Sequence, residues 1–136
     1  MNDIQKGAIA ELKAAIRAVE NGISASVPIV STLYDLILEK NGKMYRTEVK
    51  TLVRHRRGTN GWLQSSVCHE VSHCYKLVKR TYTYYYDGKV DLFLLYYRQE
   101  DVFFVIPANV LAKHKSIAIG KKSKYLKYKE AWNLIG

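Results

Sequence analysis

Cysteine is scarce. Cys68 and Cys74 are the only two in a chain of 136 residues, too few for the disulfide framework that holds small secreted domains together. No uninterrupted apolar run approaches the ~18 residues of a membrane-crossing helix. The first residues, Met1-Asn2-Asp3-Ile4-Gln5-Lys6, lack the basic start and apolar centre of a signal peptide. Two prolines make no Pro-rich linker, and there is neither a repeat nor a low-complexity segment. With 48% hydrophobic and 25% charged residues, the composition excludes disordered and fibrous chains. The expectation is one domain spanning residues 1–136, soluble, cytoplasmic and nucleoid-associated.

Acids are also few. Twelve Asp and Glu stand against 22 Lys and Arg, a formal net charge of +10, which favours a polyanionic partner, most commonly nucleic acid. The bases cluster. Lys50, Arg54, His55, Arg56 and Arg57 form one group, Lys76, Lys79 and Arg80 a second, and Lys121, Lys122, Lys124, Lys127 and Lys129 a third, interleaved with Tyr125 and Tyr128. Arg54, Arg56, Arg57, Lys121, Lys122 and Lys124 are the candidate nucleic-acid contacts, with His55 read as a further phosphate contact. Tyr82, Tyr84, Tyr85 and Tyr86 suit either a base-stacking platform or a half-buried strand.

Hydrophobic spacing organises the rest. Ile4, Ala8, Leu12, Ala15, Ile16 and Val19 recur at helical period, predicting a helix over 4–21 capped by Asp3 and stopped at Gly22, with that face on the core. Residues 23–30 alternate as an edge strand containing Pro28. Two more strands, 32–40 and 43–53, flank Asn41-Gly42, a dipeptide suited to a type I′ hairpin turn. A loop at 58–61, strands at 62–68, 90–97, 102–106 and 116–119, and helices at 107–114 and 124–134 complete a mixed α/β or α+β layout. Asp91, at the start of a buried strand, is read as structural, and Trp132 as docking the last helix on the core.

The hairpin carries the chemistry. With Asn41 and Gly42 as the loop, Lys40 faces Lys43 and Asp35 faces Glu48, placing two carboxylates roughly 5 Å apart at their Cβ atoms on one side of the sheet. Lys50 emerges on the same face two residues on, and Glu11 on the helix can join at its margin. Carboxylate oxygens suit Mg²⁺, which takes few protein ligands, and such an ion activates phosphodiester hydrolysis. The plainer alternative is a cross-strand acid pair satisfied by surface lysines. Against it, the same face bears apolar Leu33 and Ile37.

Tyr34-Asp35-Leu36-Ile37-Leu38, a short hairpin, then Glu48-Val49-Lys50-Thr51, preceded by Gly7-Ala8-Ile9-Ala10-Glu11, resembles the PD-(D/E)XK nuclease superfamily. Within it the chain is similar to small group I intron-encoded homing endonucleases, relatives of archaeal Holliday junction resolvases. Tyr34 stands where the motif's name has proline. The resemblance implies a restriction-endonuclease-like α/β core, a mixed central sheet flanked by helices. It also implies that Asp35 and Glu48 hold the metal, Lys50 serves the nucleophile and Glu11 is the helical acid. The expected activity is Mg²⁺-dependent hydrolysis of DNA, with Mn²⁺ as substitute. A homing-type double-strand endonuclease is the first reading; a Holliday junction resolvase and a non-catalytic DNA-binding module are the alternatives. Cutting both strands needs two active sites, hence a homodimer or homotetramer.

A second motif competes. His69-Glu70-Val71-Ser72-His73 matches the H-E-x-x-H zinc signature, which works only on a helix, where both histidines share a face. The preceding Gly61-Trp62-Leu63-Gln64-Ser65-Ser66-Val67 is strand-like, and His55 and His114 supply no evident third ligand. The expectation is a strand end and loop with Cys68 buried and no zinc.

Overall fold

The computed structural model describes residues 1–30, 32–57, 60–75 and 78–136; the side chains at 57, 60, 71–75 and 82 lie outside that description. The chain opens with helix α1 (Asp3–Glu20). Its cap is Asn2 rather than Asp3. The Asn2 side chain accepts from the Gln5 amide at 2.9 Å, and Gln5 Oε1 accepts from the Asn2 amide at 3.0 Å, a reciprocal pair that satisfies two free donors at the helix start. Gly22, at φ 75°, takes the left-handed conformation that ends the helix.

Strands β1 (Ser24–Ser26), β2 (Leu36–Lys40), β3 (Lys43–Thr51), β8 (Leu92–Tyr97) and β9 (Val102–Pro107) form the central sheet in the order β1-β2-β3-β8-β9. The β3–β8 pair is parallel and the others antiparallel. Asn41 and Gly42, at φ 54° and 77°, turn β2 into β3 with Lys40 opposite Lys43 and Leu36 opposite Thr47, the register expected from the sequence. β4 (Val53–Arg57), β5 (Asn60–Ser66) and β10 (Ser116–Ile119) form a second sheet, and β6 (Cys68–Tyr75) pairs with β7 (Val78–Tyr85) as a two-stranded ribbon. The strand expected over 23–30 is thus confined to three residues. The loop expected over 58–61 falls partly on residues outside the description, with Asn60 and Gly61 in β5.

The central sheet is covered on both faces, but by a helix on only one. On that face Leu36, Leu38, Val49, Leu94, Tyr96 and Phe103 pack with Ala10, Ala14 and Ala18. On the other, Phe93, Leu95, Phe104 and Ile106 pack with Leu63, Ile117, Ile119 and Tyr125 from the second sheet and the tail.

Two expectations fail for identifiable reasons. The apolar face assigned to the core points outward instead: Ile4, Leu12, Ile16 and Val19 are exposed, while Ala10, Ala14 and Ala18 are buried. Alanine lets the helix approach the sheet closely, and the polar flank is tied down. Arg17 donates to Glu130 at 2.8 Å and to Asp101 Oδ2 at 3.0 Å, with its guanidinium over the Phe103 ring. The helices expected at 107–114 and 124–134 are short 3₁₀ turns at Ala108–Val110, Lys124–Tyr128 and Trp132–Leu134. Glu130 sits at φ 49°, which no α-helix accommodates, and is held there by exchange with β9. Its amide donates to Phe103 O at 2.7 Å, and its carboxylate accepts from the Phe103 amide at 2.7 Å and from Trp132 Nε1 at 2.9 Å.

Burial by itself would raise the Glu130 pKa, but donation from Phe103, Trp132 and Arg17 outweighs it and holds the value below 4.5. A depressed carboxylate contributes stability that is present above the unfolded pKa and lost as pH falls through the folded one. Glu130→Ala is expected to destabilise the fold by about 2–3 kcal/mol near neutrality, with the gap between variant and wild type closing in thermal melts below pH 4.

Candidate functional site

At Asp35 the hairpin ladder breaks. The Asp35 amide donates to Thr47 O at 2.9 Å, and its carboxylate Oδ2 accepts from the Val49 amide at 2.9 Å. The side chain of Asp35 thereby takes a strand's place and is pinned across β3 at the level of Glu48. Glu48 is one of few buried polar residues, at 7% exposure, beside Phe93 of the parallel strand. Its carboxyl lies near enough to Asp35 for that acid to raise its pKa, and the same holds for Glu11 from α1. Three acids from three elements meet at one corner of the sheet. The structure brings Glu11, Asp35, Glu48 and Lys50 together as the sequence pattern implied. Glu11 arrives from beside the buried alanine row, although the helix phase behind its selection was wrong.

The electrostatics are unfavourable without a cation. Burial first, then the charge of Asp35, raises Glu48 to about 9, against a smaller lowering by Lys50. Burial and Asp35 likewise raise Glu11 to about 7. Lys50 Nζ lies 3.8 Å from Glu48 Oε1, too far for a tight ion pair, so the lysine is only loosely committed to its neighbour. It also lies 5.5 Å from the centre of the Tyr86 ring. Tyr86 is buried, edge-on to Phe93, and its hydroxyl pKa is raised by burial and then by Glu48 and Asp35. Reading Tyr86 only as part of a tyrosine run missed this position; the cue available was its place next to turn 87–89, where the ribbon returns to the sheet.

The basic groups partly converge. Arg54 and Lys121, far apart in sequence, line one cleft of about 230 Å³ together with Trp62, Glu100 and Lys129. Lys121 and Lys122 border Trp62 and Gly61 on an adjoining surface. Arg54 and Arg98 share a further cleft of about 440 Å³ at the ends of β3 and β8; Arg98 had no sequence signal beyond its charge. Arg56 is exposed on β4, and Lys124 lies over the Tyr125 ring. The Arg57 side chain lies outside the described residues. His55 is exposed and stacks on Trp62 at 5.8 Å. Asp91 is structural: it accepts from the Arg46 amide at 2.8 Å and pairs with the Arg46 guanidinium.

The H-E-x-x-H stretch lies along β6, with His69 opposite Tyr84 and His73 opposite Arg80. Four residues along a strand span roughly 13 Å, so the two histidines cannot share a zinc ion as they would on a helix. The His73 and Cys74 side chains lie outside the described residues, while Cys68 is buried and free. Among the described residues no group of three or more His, Cys, Asp or Glu is arranged to hold a metal ion. Among the described residues, no helix is long and apolar enough to cross a membrane.

A family model described as PD-(D/E)XK endonuclease matches residues 1–135. The chain belongs to the PD-(D/E)XK endonuclease family. Its fold is similar to that of a solved bacterial homing endonuclease, I-Ssp6803I, with a TM-score of 0.79 and 22% identity, over 98% of this chain and 93% of that one. No curated protein matches the sequence. For a PD-(D/E)XK endonuclease, an acid corner with a lysine beside it is the natural place to seek the chemistry.

Raised carboxyl pKa values have a thermodynamic sign. Where the folded pKa lies above the unfolded one, the acid binds its proton more tightly when folded, so stability falls as pH rises between the two. For Glu48 that window runs from 4.5 to about 9. In EDTA, Glu48→Gln is expected to melt higher than wild type at pH 8, by about 2 kcal/mol of stability, and to lose that advantage at pH 4. Equal melting at both pH values would contradict the burial of this acid against Asp35.

Proposed function

We propose that this nuclease is a DNA endonuclease of homing type that works with a divalent cation, Mg²⁺ or Mn²⁺, held by Asp35 and Glu48. The observation that carries the reading is the corner where Glu11, Asp35, Glu48 and Lys50 meet although burial opposes their charge. The donor set fits. Mg²⁺ takes one or two carboxylates and completes its shell with water and phosphate oxygens, so a pair suffices, and hard oxygen donors favour it over zinc. When bound, such an ion polarises the phosphoryl group and makes water a better nucleophile. PD-(D/E)XK nucleases generally use divalent metals, and the homing function named for the similar bacterial fold supports the same reading.

The chain's own residues divide the remaining work. Asp35 is held rigid by the Val49 amide. Lys50, its ammonium 5.5 Å from the centre of the Tyr86 ring, orients the attacking water and offsets charge developing on the phosphate. Glu11, held to about 7, is able to keep or release a proton near neutrality. Arg54, Arg56, Arg57, Lys121, Lys122 and Lys124 supply phosphate contacts, the second sheet carrying Arg54 and Arg56 away from β3 along the path of a bound strand. The 136 residues act as one nuclease domain in the cytoplasm on nucleoid DNA, as a homodimer or homotetramer, because two strands require two sites.

Nicking of supercoiled plasmid with Mg²⁺ tests the chemistry. Asp35→Asn, Glu48→Gln and Lys50→Ala are each expected to lower the rate by at least ~100-fold while DNA binding persists. Glu11→Gln should lower the rate more than it lowers stability. Calcium should support binding without cleavage. An Asp35→Asn protein that cuts at the wild-type rate would overturn the assignment, and cutting confined to four-way junctions would make the enzyme a junction resolvase.

Affinity should fall steeply with salt, each neutralised phosphate adding about −0.9 to the slope of log K against log salt on duplex DNA. Replacing Arg54, Arg56 and Lys121 together with glutamine should flatten that slope by about 2–3 and weaken all sequences alike. A loss restricted to one sequence would instead mean that these side chains read base edges.

A further inference from the structure

We propose that Trp62 is a stacking platform for one unpaired nucleotide of DNA, the base entering the cleft between the second sheet and β9 and the phosphates resting on the cations around its mouth. This rests on the reading of the chain as a DNA nuclease and adds a part of the substrate that the acid corner does not touch. Along β5, Leu63 turns into the core while Trp62 stays half-buried at the surface. The ring is held in place before any ligand arrives. It stacks at 5.8 Å on His55, its direct partner across on β4, and its Nε1 donates to Gln64 Oε1 at 3.1 Å. A side chain already ordered loses little freedom when a ligand stacks on it. Gly61, just before it, lets Arg54 fold in close: a Cβ there would lie 3.2 Å from His55 O and 3.4 Å from the Arg54 guanidinium.

Shape and charge select the occupant. The cleft holds about 230 Å³ and is lined by Trp62 together with apolar Leu63, Phe104 and Ile119. Pockets for drug-sized ligands run to ~300–1,000 Å³, so this one suits a single flat ring system. Arg54, Lys121 and Lys129 stand at the same cleft, and Lys121 and Lys122 border Trp62 on the adjoining surface. Among the described residues none of these four cations forms an ion pair, and Glu100 is the only acid in the lining. An apolar hollow ringed by unpaired cations suits neither a purely hydrophobic ligand nor a cation. A nucleobase carried on a phosphate chain supplies both halves. In a duplex the faces of the bases are covered by their neighbours, so only an unpaired nucleotide offers a ring face. The tyrosine run read from the sequence as a stacking platform offers less: Tyr86 is buried, and Lys89 already lies over the Tyr84 ring.

Arg54 links the platform to the acid corner. Only Thr51, Leu52 and Val53 separate it from Lys50 as β3 passes into β4, so the two residues are at most about 14 Å apart at Cα. That is about four nucleotides of rise along one strand of a duplex. The nucleotides that a staggered cut leaves unpaired fall within this range, and Trp62 beside Arg54 holds one of them.

Fluorescence anisotropy of dye-labelled single-stranded hexanucleotides with the full chain, without metal, tests the platform. The probes are a thymidine hexamer and a hexamer of abasic sites, which carry the same phosphates and differ only in the bases. Wild type is expected to bind the thymidine hexamer at least ~10-fold more tightly, with saturable quenching of tryptophan emission from Trp62, Trp132 being buried. In Trp62→Leu the two hexamers should bind alike, and Trp62→Phe should restore part of the preference. Lys121→Gln with Lys129→Gln should weaken both hexamers by the same factor. Equal binding of the two hexamers by wild type would overturn the proposal whether or not any variant folds. So would a preference that survives Trp62→Leu, or one that Tyr84→Leu removes instead. A wild type that cuts plasmid yet treats the hexamers alike would strike the platform and leave the nuclease reading standing. A Trp62-dependent preference in a protein that cuts nothing would support the platform and count against the nuclease reading.

Discussion

The structure turns on a carboxylate that the fold places where it is least comfortable. Glu48 is nearly enclosed, next to Asp35 and Phe93, with Glu11 closing from the helix. Burying a charge is costly unless it is paired, and Lys50 at 3.8 Å offsets only part of that cost. Like-charged groups crowded in a half-buried corner are retained where a cation or a reacting phosphate completes the balance. The rest of the site follows from holding this corner still: the Val49 amide fixes Asp35, and Tyr86 and Phe93 wall it from below.

Rigidity comes from two cores that share the central sheet. Phe93 and Leu95 alternate with Leu92 and Leu94 along β8, so each face of one strand serves a different core. The parallel β3–β8 pairing carries Glu48 and Lys50 past Phe93 and Leu95 and ties β3 to the most deeply buried part of the molecule. On the helix side, the Arg17, Asp101 and Glu130 network sets the rotation of α1, and that rotation decides both where Glu11 points and which apolar residues remain outside.

The hairpin was legible in the sequence because its information is local. Asn41-Gly42 fixes the turn, and a period of two then fixes the register from Lys40 opposite Lys43 to Leu36 opposite Thr47. The strand expected over 32–40 starts only at Leu36, so Asp35 comes level with Glu48 through its side chain on the Val49 amide and not as a ladder partner. The helix phase was not legible. Two apolar rows compete on α1, and the bulkier one, Ile4 to Val19 by spacing, attracts any reading based on hydrophobicity, whereas close approach to the sheet favours the alanines. What decides is Glu130, over a hundred residues away, and nothing near α1 announces it. The tail misled for the same reason: Lys124, Leu126, Tyr128 and Trp132 permit a helix until Glu130 takes a left-handed backbone to reach Phe103. The ribbon of β6 and β7 hid within a zinc-like motif because five letters carry no secondary structure.

On the proposed function, the acid corner is a cation site kept partly protonated until it is filled. Titration calorimetry of Mg²⁺ or Mn²⁺ into the metal-free protein at pH 7, repeated in buffers of different ionisation enthalpy, measures this directly. The expected result is saturable binding with net release of about one proton per cation, both abolished together in Glu48→Gln. Binding without proton release, or binding and release that survive Glu48→Gln intact, would contradict it.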